Sequence, residues 1–416
     1  MDIIIGAGVS GLSYAMFSPN TDYRIFEASD SVGGYCKTTL RNGYVWDYSG
    51  HFFHFRDKDI EKIVETYLSD EDLITVQKMT RIKYKNKLID YPFQQNIHQL
   101  PKSEFIDCLY DLFQAGDAPY RNFEQMLYCK FGKAIANKFL IPYNSKLYAC
   151  DLNTLDKDAM GRFFPYAAKE DIIRNFKHTN NQTYNASFVY PKLGAIQYIN
   201  AITSHIDTSK IVLKQQITDI DLRAHTARTA SGEVIRYDKL ISTVPFPALL
   251  RLCNCPFDES VYSWNQVLVF NLGFAKQGKD TQDHWIYFPE RKYCFYRVGF
   301  YSNILRQDRM SLYVELGFNR HEEVCPERCL ERVLTDLKKA NILSEDNPLV
   351  DYETIVMNPA YVHITEQSVE DVQRKKQVLA QYDVYSIGRY GSWTYCSIED
   401  NIKEAQSLVQ SFSHNS

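Results

Sequence analysis

The chain has 416 residues, 45% of them hydrophobic and 24% charged. That balance belongs to a globular protein and excludes disorder over most of the chain. With 47 Lys+Arg against 51 Asp+Glu the formal charge is −4. This excludes binding to nucleic acid or an anionic membrane through bulk positive charge, and no apolar run approaches the roughly 20 residues that span a bilayer.

The chain opens on a short apolar strand, Ile3 to Ile5, followed by Gly6, Gly8 and Gly11 in the pattern GxGxxG. A helix is predicted from Ser10 to Met16, stopping before Ser18-Pro19, and a second strand, Tyr23 to Phe26, ends in Glu27. An acid about 20 residues after the first glycine is what a dinucleotide-binding βαβ unit requires. Gly6 allows the tight turn, Gly8 lets a pyrophosphate approach the backbone, and Gly11 lets helix and strand pack closely. The helix N-terminus faces the phosphates and Glu27 accepts from ribose hydroxyls. A strand beginning at residue 3 leaves no room for a leader peptide.

Asp57 precedes an amphipathic helix carrying Ile60, Ile63, Val64, Tyr67 and Leu68. Arg81 to Tyr91 reads as a hairpin turning near Asn86. Helical periodicity dominates from Lys102 to Phe139, with Phe105, Leu109, Leu112, Phe113, Phe123, Leu127, Phe131, Ile135 and Phe139 as core. Helix signals resume at Gly194 to Ile206. Ile211 to Tyr237 reads as a strand meander turning at Ser231-Gly232, and Leu240 to Pro245 as a strand ending in a polar turn. Residues 264–318 are rich in strands and aromatics. Leu330, Val333, Leu334 and Leu337 mark a helix. A last strand, Val384 to Ile387, enters Gly388-Arg389 before a helix from Ile398 to Phe412, which puts a helix N-terminus back near the first glycines.

The predicted fold is α/β: a Rossmann-like domain from residues 1–80, 192–250 and 380–416, a helical domain at 98–180, and an antiparallel sheet domain from 81–97 and 251–379. Ten cysteines show no CxxC spacing, which fits reduced thiols of a cytoplasmic protein and no metal site. The 30 Tyr and 24 Phe equip the chain to stack on planar ligands.

A second glycine pair, Gly33-Gly34, follows Glu27 in the sequence Gly33-Gly34-Tyr35-Cys36-Lys37-Thr38. NAD does not need it, and it resembles the FAD-binding oxidases and mutases. Within them, Tyr91-Pro92-Phe93-Gln94-Gln95-Asn96-Ile97 with Leu100-Pro101 resembles a segment of the UDP-galactopyranose mutase family. So do Gly50-His51-Phe52-Phe53, Pro142-Tyr143-Asn144, Phe295-Tyr296-Arg297 and Gly388-Arg389-Tyr390-Gly391-Ser392-Trp393-Thr394-Tyr395. The matches run in order from residue 3 to about 405, nearer the eukaryotic mutases than most bacterial ones.

This resemblance implies a non-redox use of FAD. In those mutases reduced flavin attacks the anomeric carbon of UDP-galactose through N5 and expels UDP; the sugar opens, recloses as pyranose or furanose, and is recaptured. NAD(P)H is an implied reductant. The resemblance assigns Arg162 and Arg297 to the diphosphate, as bidentate arginines would suit, with Tyr287, Tyr361 and Tyr395 around it. Trp285 is implied beside the sugar, Tyr91 and Gln94 at the uracil, Asn144 and Asn185 at the substrate. His51 falls beside the flavin, either bonded to it, positioning sugar hydroxyls, or structural. Gly50, Gly388 and Arg389 are implied near the cofactor, and Arg81 at the flavin edge. Two residues depart from the family: Ser49 stands where it has the first glycine before the histidine, and Val189 where it often has a basic residue. Both are compatible with another nucleotide sugar. A true FAD oxidoreductase of the amine-oxidase or protoporphyrinogen-oxidase type is the alternative. A small-molecule substrate, no nucleic acid and no membrane span are expected, and a homo-oligomer is compatible with the chain.

Overall fold

The computed structural model describes residues 1–116, 118–177 and 187–413. Five short parallel strands form its nucleotide-type sheet, in the order Val384–Ser386, Leu240–Ser242, Asp2–Ile5, Tyr23–Phe26, Ile211–Val212. Ile3 to Ile5 are β-branched and buried because both faces of a parallel sheet are covered. Ile3 and Ile5 point to one face, where Phe246–Leu252 and the strands Ile217–Asp221, Thr226–Thr229 and Val234–Arg236 pack. Ile4 points to the other, against the helices Val9–Phe17, Ile196–Thr203 and Ile398–Ser413. Ile211–Val212, expected within the meander, instead extends the parallel sheet, pairing with Ile25 and Phe26; the meander starts at Ile217.

The second sheet has eight strands. Leu349–Met357, Ser263–Phe274, Ser311–Asn319, Arg297–Phe300, Trp285–Tyr287, Thr80–Tyr84 and Lys87–Asp90 lie in that order, with Val362–His363 beside the start of Ser263–Phe274. It is not wholly antiparallel: Trp285–Tyr287 and Thr80–Tyr84 run parallel, because the early hairpin docks on the edge of a sheet formed much later in the chain. One sheet face packs on the helix Pro326–Lys339 through Val333 and Leu337. The other shares a core with the helices Lys102–Gln114, Phe123–Ile135 and Ile141–Tyr148. In that helical region Phe123, Leu127, Phe131, Ile135 and Phe139 are buried, whereas Phe113, read as core, is 60% exposed; Cys108 and Leu112 carry the inner stripe of its helix. Two further pairings were not legible: the hairpin Thr38–Arg41 with Tyr44–Asp47, and Leu73–Gln77 against Ser187–Pro191. Among the described residues no helix is long and apolar enough to cross a membrane.

Candidate active site

A cavity of about 480 Å³ opens where the parallel strands end. The three glycines of the GxGxxG turn beside it differ in what confines them. Gly6 has φ +100°, and a Cβ there would lie 2.2 Å from Thr243 Oγ1; a Cβ on Gly11 would lie 2.0 Å from the Gly6 carbonyl oxygen. Both are glycine because the protein leaves no room. A Cβ on Gly8 would meet only the Gly34 backbone, at 3.7 Å, an ordinary contact, so the space beside Gly8 is left for a ligand. Gly8 also caps the helix Val9–Phe17 with no side chain on its N–H groups, leaving them for an anion. Glu27 lines this cavity, its Oε2 accepting from the Ala7 N–H and its Oε1 from the Ser29 N–H, each at 2.8 Å. Carboxylate oxygens have further lone pairs for ribose hydroxyls.

The cavity is closed by Gly33 and Gly34, both at positive φ, by Gly50, and by Gly388-Arg389. The Gly388 N–H donates to Glu404 and the Arg389 N–H to Asn401, at 2.7 and 2.8 Å. The Arg389 guanidinium lies 4.7 Å from the Tyr395 ring centre and 5.2 Å from that of Tyr361, and its buried Nε has no partner. A backbone cradle, an unoccluded helix N-terminus, an acid at the ribose position and an orphaned arginine nitrogen together fit a dinucleotide.

A second cavity, of about 610 Å³, shares His51, Gly50, Arg297, Tyr361, Arg389 and Tyr395 with the first. Arg297 and Glu315 face each other across an antiparallel pair. Their ion pair is bidentate, Nε to Oε2 at 2.6 Å and Nη2 to Oε1 at 2.7 Å, and the carboxylate is buried. Arg162, on the turn Gly161–Phe163, holds Asp400 through Nη2. Tyr361 and Tyr395 stack at 5.9 Å. Trp285 stacks on Phe52 at 5.2 Å and donates Nε1–H to the Tyr287 hydroxyl at 2.9 Å. Tyr91 leans on Tyr287, ring centres 5.2 Å apart. Asn144 Nδ2 donates to the Leu140 carbonyl at 2.7 Å, and its buried Oδ1 has no partner.

His51 lies on the wall between the cavities. Burial, with Arg389 and Arg297 nearby, pulls its imidazole down to about 4, so it is neutral at pH 7. Its Nδ1 is 3.1 Å from the Ser49 carbonyl oxygen. A carbonyl only accepts, so Nδ1 carries the proton and Nε2 keeps a lone pair.

Not every expected residue faces these cavities. Arg81 does not reach the cofactor cavity: it pairs with Asp283 at 2.7 Å and Asp280 at 3.5 Å beside a separate cavity. It shares a row with Ile286, whose side chain belongs to the far sheet face. Gln94 is buried beneath the second cavity, its Nε2 donating to the Pro165 carbonyl; Gln95 lines that cavity instead, with an unpartnered Oε1. Asn185 lies outside the described residues. Missed in the sequence were Gln95, Glu315, Tyr143, Asp400 and Lys78, whose ammonium burial draws down to about 8. Lys146 was missed too: its ammonium donates to the carbonyls of Phe288, Glu290, Tyr293 and Phe295, tying the loop between Tyr287 and Arg297 to the helix that carries Tyr143 and Asn144.

The family described as flavin containing amine oxidoreductase matches residues 10–357. A crystal structure of reduced UDP-galactopyranose mutase superposes with a TM-score of 0.92 at 24% identity, covering 100% of this chain and 96% of that one. Coproporphyrinogen III oxidase of Staphylococcus aureus is 23% identical over 289 residues, 60% of this chain and 61% of its own length. Protoporphyrinogen oxidase 1, chloroplastic, of Spinacia oleracea is 26% identical over 186 residues, 41% of this chain and 33% of its own. The chain thus spans less than two thirds of these curated relatives.

Proposed function

We propose that this chain, which belongs to the flavin-containing amine oxidoreductase family, is a mutase that interconverts the pyranose and furanose forms of a nucleotide sugar, UDP-galactose first among them. The observation that carries the reading is the shared wall: the dinucleotide cavity meets a second cavity lined by Arg162, Arg297, Arg389 and a ring of tyrosines. A simple amine does not ask for such a lining; a sugar diphosphate, with about two negative charges, does, and its sugar and base give the remaining polar and aromatic side chains their partners.

FAD would be held by Gly6, Gly8, Gly11, Gly33 and Gly34 along its pyrophosphate, by Glu27 at the ribose, and by Gly388-Arg389. When bound and reduced, the flavin would supply nucleophilic character at the anomeric carbon with no net redox change. Arg297 and Arg162 hold the leaving diphosphate in place for its return, with hydroxyls from Tyr287, Tyr361 and Tyr395. Tyr91 stacks on the base and Gln95 offers its amide to the base edge. Asn144 Oδ1 accepts from a sugar hydroxyl. His51 stays neutral and offers Nε2 as an acceptor between cofactor and sugar. NAD(P)H serves as reductant, and ten free thiols go with a cytoplasmic setting.

A second reading has its own support: the porphyrinogen oxidases named above are sequence relatives, and in that case the flavin would cycle with oxygen. One experiment separates the two. The flavin-loaded protein is reduced with dithionite, given UDP-galactofuranose without oxygen, and the products are separated by chromatography. Conversion to UDP-galactopyranose by the reduced protein alone is expected. No conversion of any nucleotide sugar, with oxygen consumed on adding a porphyrinogen, would overturn the mutase reading.

A further inference from the structure

We infer that Ser49 is a positioning residue whose hydroxyl, by gripping Glu315, sets the plane in which Arg297 presents its guanidinium to both cavities. The inference rests on the mutase reading only for the identity of the anion that Arg297 meets.

Ser49 has φ +95°, a conformation that glycine adopts freely and serine does not. The backbone has little room to relax. A Cβ on the next residue, Gly50, would lie 2.6 Å from the Tyr313 hydroxyl and 2.8 Å from the Phe52 ring. A serine that only filled space here would be better replaced by glycine. What serine adds is a hydroxyl, and that hydroxyl donates to Glu315 Oε1. The same oxygen accepts from Arg297 Nη2, while Oε2 accepts from Arg297 Nε.

The carboxylate is thus held by three donors on two elements. The bidentate pair fixes guanidinium and carboxylate relative to each other, and the Tyr313 ring lies 5.7 Å from the guanidinium. The third donor, from outside the pair, ties the carboxylate to the loop that carries Gly50 and His51 and narrows the tilt left to it. Ser49 is also continuous with Gly50 and His51, and all three line the first cavity. The tie therefore runs from the loop at the shared wall to the arginine at the shared wall.

The test uses flavin-loaded Ser49→Gly and Ser49→Ala. Both lose the hydroxyl; only the glycine variant also loses the strain, so it keeps the test alive if the alanine variant folds poorly. UDP affinity is read from the change in flavin absorption, and hydrogen exchange at Arg297 Nε–H by NMR of arginine-labelled holoenzyme. About a tenfold rise in Kd, the scale of one hydrogen bond to a charged group, is expected in both variants, with full flavin content and faster exchange. A Ser49→Gly variant that binds UDP as the parent does, with unchanged exchange, would overturn the inference while leaving the mutase reading intact. A parent protein that ignores UDP would overturn the mutase reading instead. The exchange rate would then decide alone: faster in Ser49→Gly supports the tie, and unchanged refutes it.

Discussion

The two cavities are built from opposite materials. The first is mostly backbone: glycines at positive φ, a bare helix N-terminus, and one carboxylate fixed by peptide N–H groups. The second is mostly side chain, with each of its candidate diphosphate arginines already matched to an acid, Arg297 to Glu315 and Arg162 to Asp400. A backbone cradle is rigid and tolerates no Cβ where the ligand approaches. A side-chain site can offer its remaining donors to an anion while the acid stays in place, because the guanidinium is pre-oriented and its charge is already accommodated.

The largest effects separate two kinds of glycine in the GxGxxG turn beside the first cavity. Gly11→Ala should yield no soluble folded protein, since the new Cβ meets a backbone oxygen. Gly8→Leu should fold with native circular dichroism and carry no flavin; a yellow Gly8→Leu would break the claim that the space beside Gly8 belongs to the cofactor. In the second cavity the expectation is reversed. Arg297→Ala should keep its flavin and lose turnover about 10³-fold. It should also lose about 3–5 kcal/mol, because Glu315 is left buried and unpaired. Adding Glu315→Gln should restore much of the denaturant midpoint and none of the turnover.

The shared wall gives a pH effect. His51 titrates near 4 in the folded chain and near 6.5 in the unfolded one. Below 6.5 the unfolded chain takes up a proton that the folded one refuses. Stability is therefore full above 6.5 and falls as pH drops toward 4, by about 2 kcal/mol at pH 5 for this residue. Burial lowers His54, His284 and His363 likewise, so the parent's acid limb should be steep. His51→Gln should flatten it, measured as melting temperature against pH. The smallest expected difference is between neighbours. Gln95→Leu should raise KM about tenfold with little change in melting temperature; Gln94→Leu should do the opposite.

The same contrast explains what was legible. Strand, turn, helix and acid of the first cavity sit within thirty-odd residues, and each requirement is local, so spacing alone located Gly6, Gly8, Gly11 and Glu27. The second cavity draws on segments around residues 51, 91, 144, 162, 285, 297, 361 and 395. Only a family resemblance brought them together, and it erred where parity decides. Arg81 lies on a strand whose alternate residues face opposite ways, and it takes the side away from both cavities. In the short turn Phe93–Gln95 one glutamine faces in and its neighbour faces the cavity. Glu315 left a trace, a lone acid in the apolar run Leu312-Tyr313-Val314-Glu315-Leu316. Its meaning depends on a register with Arg297 that sequence spacing does not contain.

The connectivity of the parallel sheet has a consequence for how the protein is made. Its five strands come from residues near 2, 23, 211, 240 and 384, and Ser10 hydrogen-bonds Asn401. During synthesis the first strand leaves the ribosome with its neighbour at Tyr23–Phe26 but waits for its other partner until residue 242 is made. The sheet lacks an edge strand until residue 386 is made, and the helix Val9–Phe17 lacks its packing partner Ile398–Ser413 until residue 413 is made. Loops this long close slowly and expose sheet edges meanwhile. Nascent chains stalled before residue 384 should therefore be the aggregation-prone and chaperone-dependent species, and a pulse of flavin should rescue only those released with the last helix complete.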